Sequence, residues 1–196
     1  MTAIVDYRAG NLTSVRLAFA AVGEAAVVTD DPAVIAEADR VVFPGVGAAK
    51  SAMENLKKKG LVDAVRSAAL SDRPFLGICL GMQILFEHSE EDGGVDTLGV
   101  FKGRVRRFPD KVGFKIPEIG WNQVREKTTG NEEQMKEFYF VHSYYAEIVP
   151  ETVGVSEYAG VEFTAMVKRG RLWACQFHPE KSGRVGLDLL KEWLAC

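Results

Sequence analysis

Along the first eighty residues, short apolar runs alternate with longer stretches of helical periodicity. Ala3-Ile4-Val5-Asp6, Ala26-Val27-Val28-Thr29, Arg40-Val41-Val42-Phe43 and Phe75-Leu76-Gly77-Ile78 read as strands. The first is apolar at consecutive positions, the pattern of a strand buried on both faces. Between the strands lie helical stretches from Leu12 to about Val22, from Asp31-Pro32 toward Ala38, and from Ala48 to about Ala69 with a break at Lys59-Gly60. Asn11 is placed to cap the first helix, and Asp31-Pro32 supplies a cap and a first-turn proline for the second. Strands alternating with helices predict a parallel sheet wrapped on both faces.

Beyond residue 100 the period changes. Val100–Phe108, Ile119–Val124, Phe138–Tyr145, Val153–Tyr158, Val161–Val167 and Leu172–Phe177 all read as extended, with Lys168-Arg169-Gly170 as the turn between the last two. Little helix separates them. The second half therefore adds antiparallel strands to the sheet, or makes a second small one. A helix from about Val185 to Leu194 closes the chain. The acidic segment from Glu90 to Leu98 reads as a loop bordering a pocket. The basic runs Lys57–Lys59 and Arg104–Arg107 read as solvated faces.

With 196 residues there is chain for one domain or a tightly fused pair, taken as a single domain over 1–196. The net charge of −3 argues against a nucleic-acid binder, whose footprint is usually basic. No apolar run approaches the length that crosses a bilayer, and the first residues read as a strand rather than a secretion signal. Cys79, Cys175 and Cys196 are odd in number and widely spaced, which points to a reducing, cytoplasmic setting without a disulfide framework. No cysteine or histidine cluster has metal-ligand spacing, and no cofactor is expected.

Three stretches carry candidate chemistry. Gly77-Ile78-Cys79-Leu80-Gly81 lies between a strand and the helically spaced Met82–Glu87. Strand, glycine-flanked nucleophile and helix are the parts of a nucleophile elbow, and the helix N-terminus would face the thiol. The alternative is a core cysteine between two glycines. His178-Pro179-Glu180 ends the Leu172–Phe177 strand, and residues two apart project to the same side of an extended segment. A cysteine nucleophile needs a base, and the base needs a group that fixes its tautomer; Cys79, His178 and Glu180 can fill these roles. The alternative for His178 is a satisfied loop histidine. Pro44-Gly45-Val46-Gly47 follows the third strand directly. With the Leu80 N–H it could offer two donors to an oxyanion, and its glycines would ease rotation of the peptide between them. The alternative is an ordinary tight turn. His88 reads as a surface residue, and His142 as structural or pocket-lining.

Pro-Gly-Val-Gly, Gly-Ile-Cys-Leu-Gly-Met-Gln and Gln-Phe-His-Pro-Glu-Lys-Ser together resemble the class I glutamine amidotransferases over nearly the whole chain. The resemblance implies a flavodoxin-like α/β fold with an open, mainly parallel sheet flanked by helices. Asp6-Tyr7 with Gly10-Asn11-Leu12, Ile119-Gly120-Trp121-Asn122 and Tyr139–Tyr144 narrow it to the glutaminase branch that serves imidazole glycerol phosphate synthesis. It implies that Cys79 attacks glutamine, His178 carries protons and Glu180 orients it. It also implies that Gln83, Glu91, Ser143 and Tyr144 hold the substrate, together with the Gly45–Gly47 loop. The implied partner is a (β/α)₈-barrel cyclase subunit in a heterodimer, docked on Asn11, Trp121, Asn122 and Lys181. Arg8-Ala9 departs from the glycine-methionine usual in that branch. Rival readings are the glutaminase of another synthase, a stand-alone thiol γ-glutamyl hydrolase, and a triad-bearing scaffold without activity.

Overall fold

The computed structural model describes residues 1–8, 10–126 and 134–196, so Ala9 of the Arg8-Ala9 pair lies outside the described residues. The first half is β1 (Thr2–Val5), α1 (Leu12–Ala21), β2 (Ala26–Thr29), α2 (Pro32–Glu37), β3 (Arg40–Gly45), α3 (Ala49–Lys58), α4 (Val62–Leu70), β4 (Phe75–Cys79) and α5 (Leu80–Gln83). Then come β5 (His88–Ser89), β6 (Val95–Asp96), β7 (Arg104–Arg107), β8 (Glu118–Glu126), β9 (Gln134–His142) and β10 (Tyr144–Ala146). The chain continues through β11 (Thr152–Tyr158), β12 (Val161–Arg169), β13 (Leu172–Cys175) and α6 (Gly183–Leu194).

Among the described residues these strands form one sheet. Its backbone order is β2-β1-β3-β4-β13-β12-β10-β7-β5-β6, and β11, β8 and β9 branch from β12. The pairs from β2 to β13 are parallel, and β12 onward is mainly antiparallel. The predicted added strands therefore extend one continuous sheet.

Consecutive residues of the parallel strands feed opposite cores, which is why they are apolar without alternation. Phe43, Phe75 and Ala174 face one core, shared with Met53, Leu56 and Val65 of α3 and α4. Val42, Leu76 and Trp173 face the other, shared with Phe19 of α1 and Trp193 of α6. Each buried aromatic or aliphatic side chain contributes about 1.5–3 kcal/mol relative to exposure, so both helical layers are fixed by the strand composition.

Several boundaries differ from the sequence reading. The expected strand Val100–Phe108 is extended only at Arg104–Arg107, and Phe138–Tyr145 is broken at Ser143 between β9 and β10. The Glu90–Leu98 loop contains a short turn of helix at Glu91–Gly93 and the strand β6. Asp31 caps α2 through Ala33 N as expected. Asn11 sits at the start of α1 with φ 72°, but its side chain makes no cap. The break at Lys59-Gly60 does separate α3 from α4, with Gly60 at φ 66°.

Candidate functional site

The parallel register brings the loop ends together. Gly45 at the end of β3 is paired with Cys79 at the end of β4, and β13 lies on the other side of β4 and runs into His178. Three stretches far apart in sequence thus meet at the carboxyl ends of three central, neighbouring strands.

Cys79 occupies φ 54°, ψ −112°, a backbone conformation that costs of order 1–3 kcal/mol and persists only where its surroundings hold it. The glycines around it are dictated by close packing. A Cβ on Gly81 would overlap the Phe43 carbonyl oxygen, and one on Gly77 would lie 3.0 Å from Ala174 Cβ. The elbow is therefore built as the sequence predicts, with one correction. The helix after the cysteine is a single turn, Leu80–Gln83, because beyond Ile84 the bonds tighten to Leu85 N–Met82 O and Phe86 N–Gln83 O, so its dipole at the sulfur is small.

His178 Nδ1 is 2.7 Å from Glu180 Oε1, and both side chains are buried. The same carboxylate oxygen accepts Asn11 Nδ2 at 2.7 Å. Asn11, expected on a docking face, thus lies behind the histidine–carboxylate pair; this is where its unused capping amide goes. The loop carrying His178 is itself held: His178 N donates to the Tyr139 carbonyl, and Ser182 Oγ donates to the His178 carbonyl.

Nε2 of His178 is buried and makes no hydrogen bond of its own. Burial works to depress the imidazole, but the Cys79 sulfur and the Glu180 carboxylate outweigh it and raise the pKa from 6.5 to about 10. Such a histidine stays protonated at neutral pH, which suits a thiolate–imidazolium pair. Burial pushes the Cys175 thiol well up, and Cys196 is also raised by burial, so neither has this environment.

A cavity of about 340 Å³ opens over the sulfur. Val46, Gly47, Cys79, Leu80, Gln83, Glu91, Ser143 and Tyr144 line it, as expected of nucleophile, oxyanion loop and substrate residues, together with Lys181, Pro117, Val141 and His142. Gln83 Nε2 donates to the Tyr144 carbonyl at 2.7 Å and to Gln176 Oε1 at 2.9 Å. Gln176 Nε2 in turn reaches Cys79 Sγ at 3.6 Å. Gln176 was not singled out from sequence, although its place two residues before His178 on an extended segment puts it on the same side. Glu91 accepts Ala49 N at 2.6 Å at the start of α3, and burial raises its carboxyl pKa.

The two loop glycines have different reasons. Gly47 carries φ 99°, which favours glycine. Gly45 is buried in the strand, and a Cβ there would overlap the Tyr7 hydroxyl and sit 2.9 Å from Leu80 Cβ. The expected conformational freedom thus rests on Gly47, and Gly45 is a close-packing glycine. Tyr7 itself is buried with its hydroxyl unpartnered and its pKa pushed up by burial and by Cys79.

Of the expected docking residues, Trp121 is 56% exposed beside Ile119 at 63%, while Lys181 is exposed and also lines the cavity. Asn122 is only half-exposed, because its amide is tied to Glu118 Oε1 and the Glu157 carbonyl. His142, left open by sequence, is buried at the cavity wall; His88 is half-buried and paired with Asp96.

Residues 3–194 match the family model of the class-I glutamine amidotransferases. Imidazole glycerol phosphate synthase subunit HisH of Dechloromonas aromatica is 49% identical over 98% of this chain and 94% of the relative. The subunit of the same name from Moorella thermoacetica is 49% identical over 97% and 92%, and that of Methanothermobacter thermautotrophicus 45% over 99% and 98%. Among solved structures, one described as a glutamine amidotransferase superposes with a TM-score of 0.75 at 17% identity, covering 98% of this chain and 97% of the other. At that identity the likeness speaks for the fold, while the full-length sequence matches place the chain in the family of class I glutamine amidotransferases, among the HisH subunits.

Proposed function

We propose that this chain is the glutaminase subunit of an imidazole glycerol phosphate synthase. It hydrolyses glutamine and passes the ammonia to a (β/α)₈-barrel cyclase subunit, in a cytoplasmic heterodimer of histidine biosynthesis. The whole of residues 1–196 acts as one domain. The observation that carries the reading is the strained Cys79 beside the buried His178–Glu180 pair, at the floor of a cavity lined by Gln83 and Tyr144.

The reaction follows from that arrangement. The Cys79 thiolate attacks the side-chain carboxamide carbon of glutamine, and the oxygen becomes an oxyanion facing the Leu80 N–H and the Gly45–Gly47 loop. The His178 imidazolium gives its Nε2 proton to the departing nitrogen. The C–N bond breaks, ammonia leaves and a glutamyl thioester remains. Water then adds to the thioester, His178 takes its proton, and glutamate leaves as the thiolate returns. Glu180 keeps the imidazole in place through Nδ1. Trp121 and Ile119 give the partner an apolar anchor, and Lys181 sits between that face and the cavity.

The test is glutamate release by the chain alone and with a co-purified barrel subunit carrying its ribonucleotide ligand. The expected result is a large rise in kcat on adding the liganded partner, with glutamine KM changing much less. No glutamate release under any condition would refute the glutaminase reading, and full turnover indifferent to the partner would refute the coupling.

A further inference from the structure

Beside the cavity, outside the triad, lies a second histidine–carboxylate pair that the reaction above does not use. Glu118 opens β8 and His142 closes β9, and the antiparallel register sets them opposite each other. Their side chains are buried, at 4% and 2% exposure, and His142 Nε2 is 3.0 Å from Glu118 Oε2. The two atoms meet as an ion-pair contact, and neither forms a hydrogen bond.

The proton count at this pair is fixed by its neighbours. His142 Nδ1 is 2.8 Å from the Tyr144 carbonyl oxygen, and a carbonyl only accepts, so Nδ1 carries a proton. Two bare lone pairs 3.0 Å apart in a buried site would repel. A proton on either atom removes that repulsion and leaves the pair neutral as a unit. Glu118 Oε1 is occupied by Asn122 Nδ2 at 2.8 Å.

The chain of contacts leads to the pocket. The Tyr144 carbonyl that receives His142 Nδ1 is the same one that receives Gln83 Nε2 at 2.7 Å. Tyr144 follows the strand break at Ser143 and opens β10 in register with Arg107 of β7, and the contacts given for its carbonyl are these two side-chain donors. The pair also anchors β8, whose outward side carries the exposed Ile119 and Trp121.

We propose that Glu118 and His142 are positioning residues for the glutaminase: a buried histidine–carboxylate pair that holds the Tyr144 carbonyl, and through it Gln83 and the glutamine pocket, in the binding geometry. This rests on the glutaminase reading. Glutamine recognition then depends on a strand that belongs to the exposed partner face and not to the parallel sheet carrying the nucleophile.

The pair can be dissected because its two functions separate. Replacing both members with apolar residues, Glu118→Leu with His142→Phe, leaves no buried charge, and such replacements are commonly neutral or stabilising. The phenyl ring keeps the contacts that the imidazole makes with Phe108, Phe140 and Phe163. It loses the donor to Tyr144. Glu118→Gln is the conservative variant, since its amide can donate to a neutral His142 Nε2 while its oxygen still accepts Asn122.

The readout is labelling of Cys79 on the full chain by a glutamine-like chloroketone, with saturation constant and limiting rate resolved, beside labelling by iodoacetamide. For the double variant we expect a saturation constant raised about tenfold, the scale of one lost hydrogen bond, with limiting rate and iodoacetamide labelling within about twofold. Glu118→Gln should stay within about threefold of the wild type on all measures. An unchanged saturation constant in the double variant overturns the proposal, as does an equal loss of iodoacetamide labelling. If the double variant does not fold, Glu118→Gln with His142→Phe against Glu118→Gln alone carries the same contrast, since it too removes the Tyr144 donor without leaving a buried charge, and equal saturation constants overturn it. Wild-type labelling that does not saturate would instead refute the glutaminase reading.

Discussion

The parallel strands and the antiparallel strands of this one sheet hold different halves of the site. β3, β4 and β13 deliver the oxyanion loop, Cys79 and His178 from strand ends that are buried on both faces. The pocket wall opposite, Val141 to Tyr144, comes from β9 and β10, where the ladder breaks and side-chain contacts take over. The contrast teaches that reactivity is built into the part of the fold with the least freedom to move. Recognition sits on strands whose outer face is open.

The largest expected effect tests the parallel half alone. Cys79→Ala should reduce glutamate release by about 10⁶-fold, as for loss of a nucleophile that acts as a unit with its base. Calorimetry should still detect glutamine binding, because the pocket wall is untouched. Loss of binding along with turnover would break the division.

Next comes the outer face. Truncating an exposed aromatic anchor at an interface costs 2 kcal/mol or more, so Trp121→Ala should weaken binding of the barrel subunit by about 30-fold. Chloroketone labelling of Cys79 on the isolated chain should be unchanged. An altered labelling rate with intact partner affinity would place Trp121 in the pocket instead.

Asn11→Ala removes one hydrogen bond to the Glu180 carboxylate, and bonds to charged groups contribute about 1.5–3 kcal/mol. A roughly tenfold fall in kcat at constant glutamine KM is expected. A KM effect without a kcat effect would show that Asn11 serves recognition and not the triad.

The smallest effect is a matter of pH. The His178 pKa is raised from 6.5 to about 10 in the fold, so its stabilisation is fully present below pH 6.5 and is lost as pH rises through about 10. Thermal melts of the wild type should fall more between pH 6.5 and 10 than those of His178→Asn. Parallel curves for the two proteins would mean that the imidazolium is not held by its neighbours.

Much of this was legible without coordinates because local rules decided it. Runs such as Ile4-Val5 and Leu76 to Ile78 can only be buried strands, and the glycines at 77 and 81 announced a crowded turn at Cys79. His178 and Glu180 do meet, but not by the extended geometry the sequence suggests: Pro179–Lys181 forms a short 3₁₀ turn, and that turn brings Glu180 Oε1 onto His178 Nδ1. The resemblance to a known family added the expectation that Gln83 and Tyr144 hold the substrate, which spacing does not carry; the structure places both at the cavity over Cys79.

Other features needed the fold because they depend on which distant segments meet. That Gly45 is excluded from having a side chain by Tyr7 follows from the β1, β3 and β4 packing, and no local pattern separates it from Gly47. Asn11 looked like a helix cap in sequence; its amide reaches Glu180, 169 residues away, because α1 lies beside the loop after β13. The Glu118–His142 pair has no motif at all. The sequence reads His142 as structural or pocket-lining within an extended stretch and does not single out Glu118, and only the antiparallel register makes them a buried unit. Periodicity and sterics act over a few residues, so the sequence by itself determined what each stretch can be; which stretches touch was decided by the sheet, since hydrogen bonding acts over about 3 Å wherever the chain comes from.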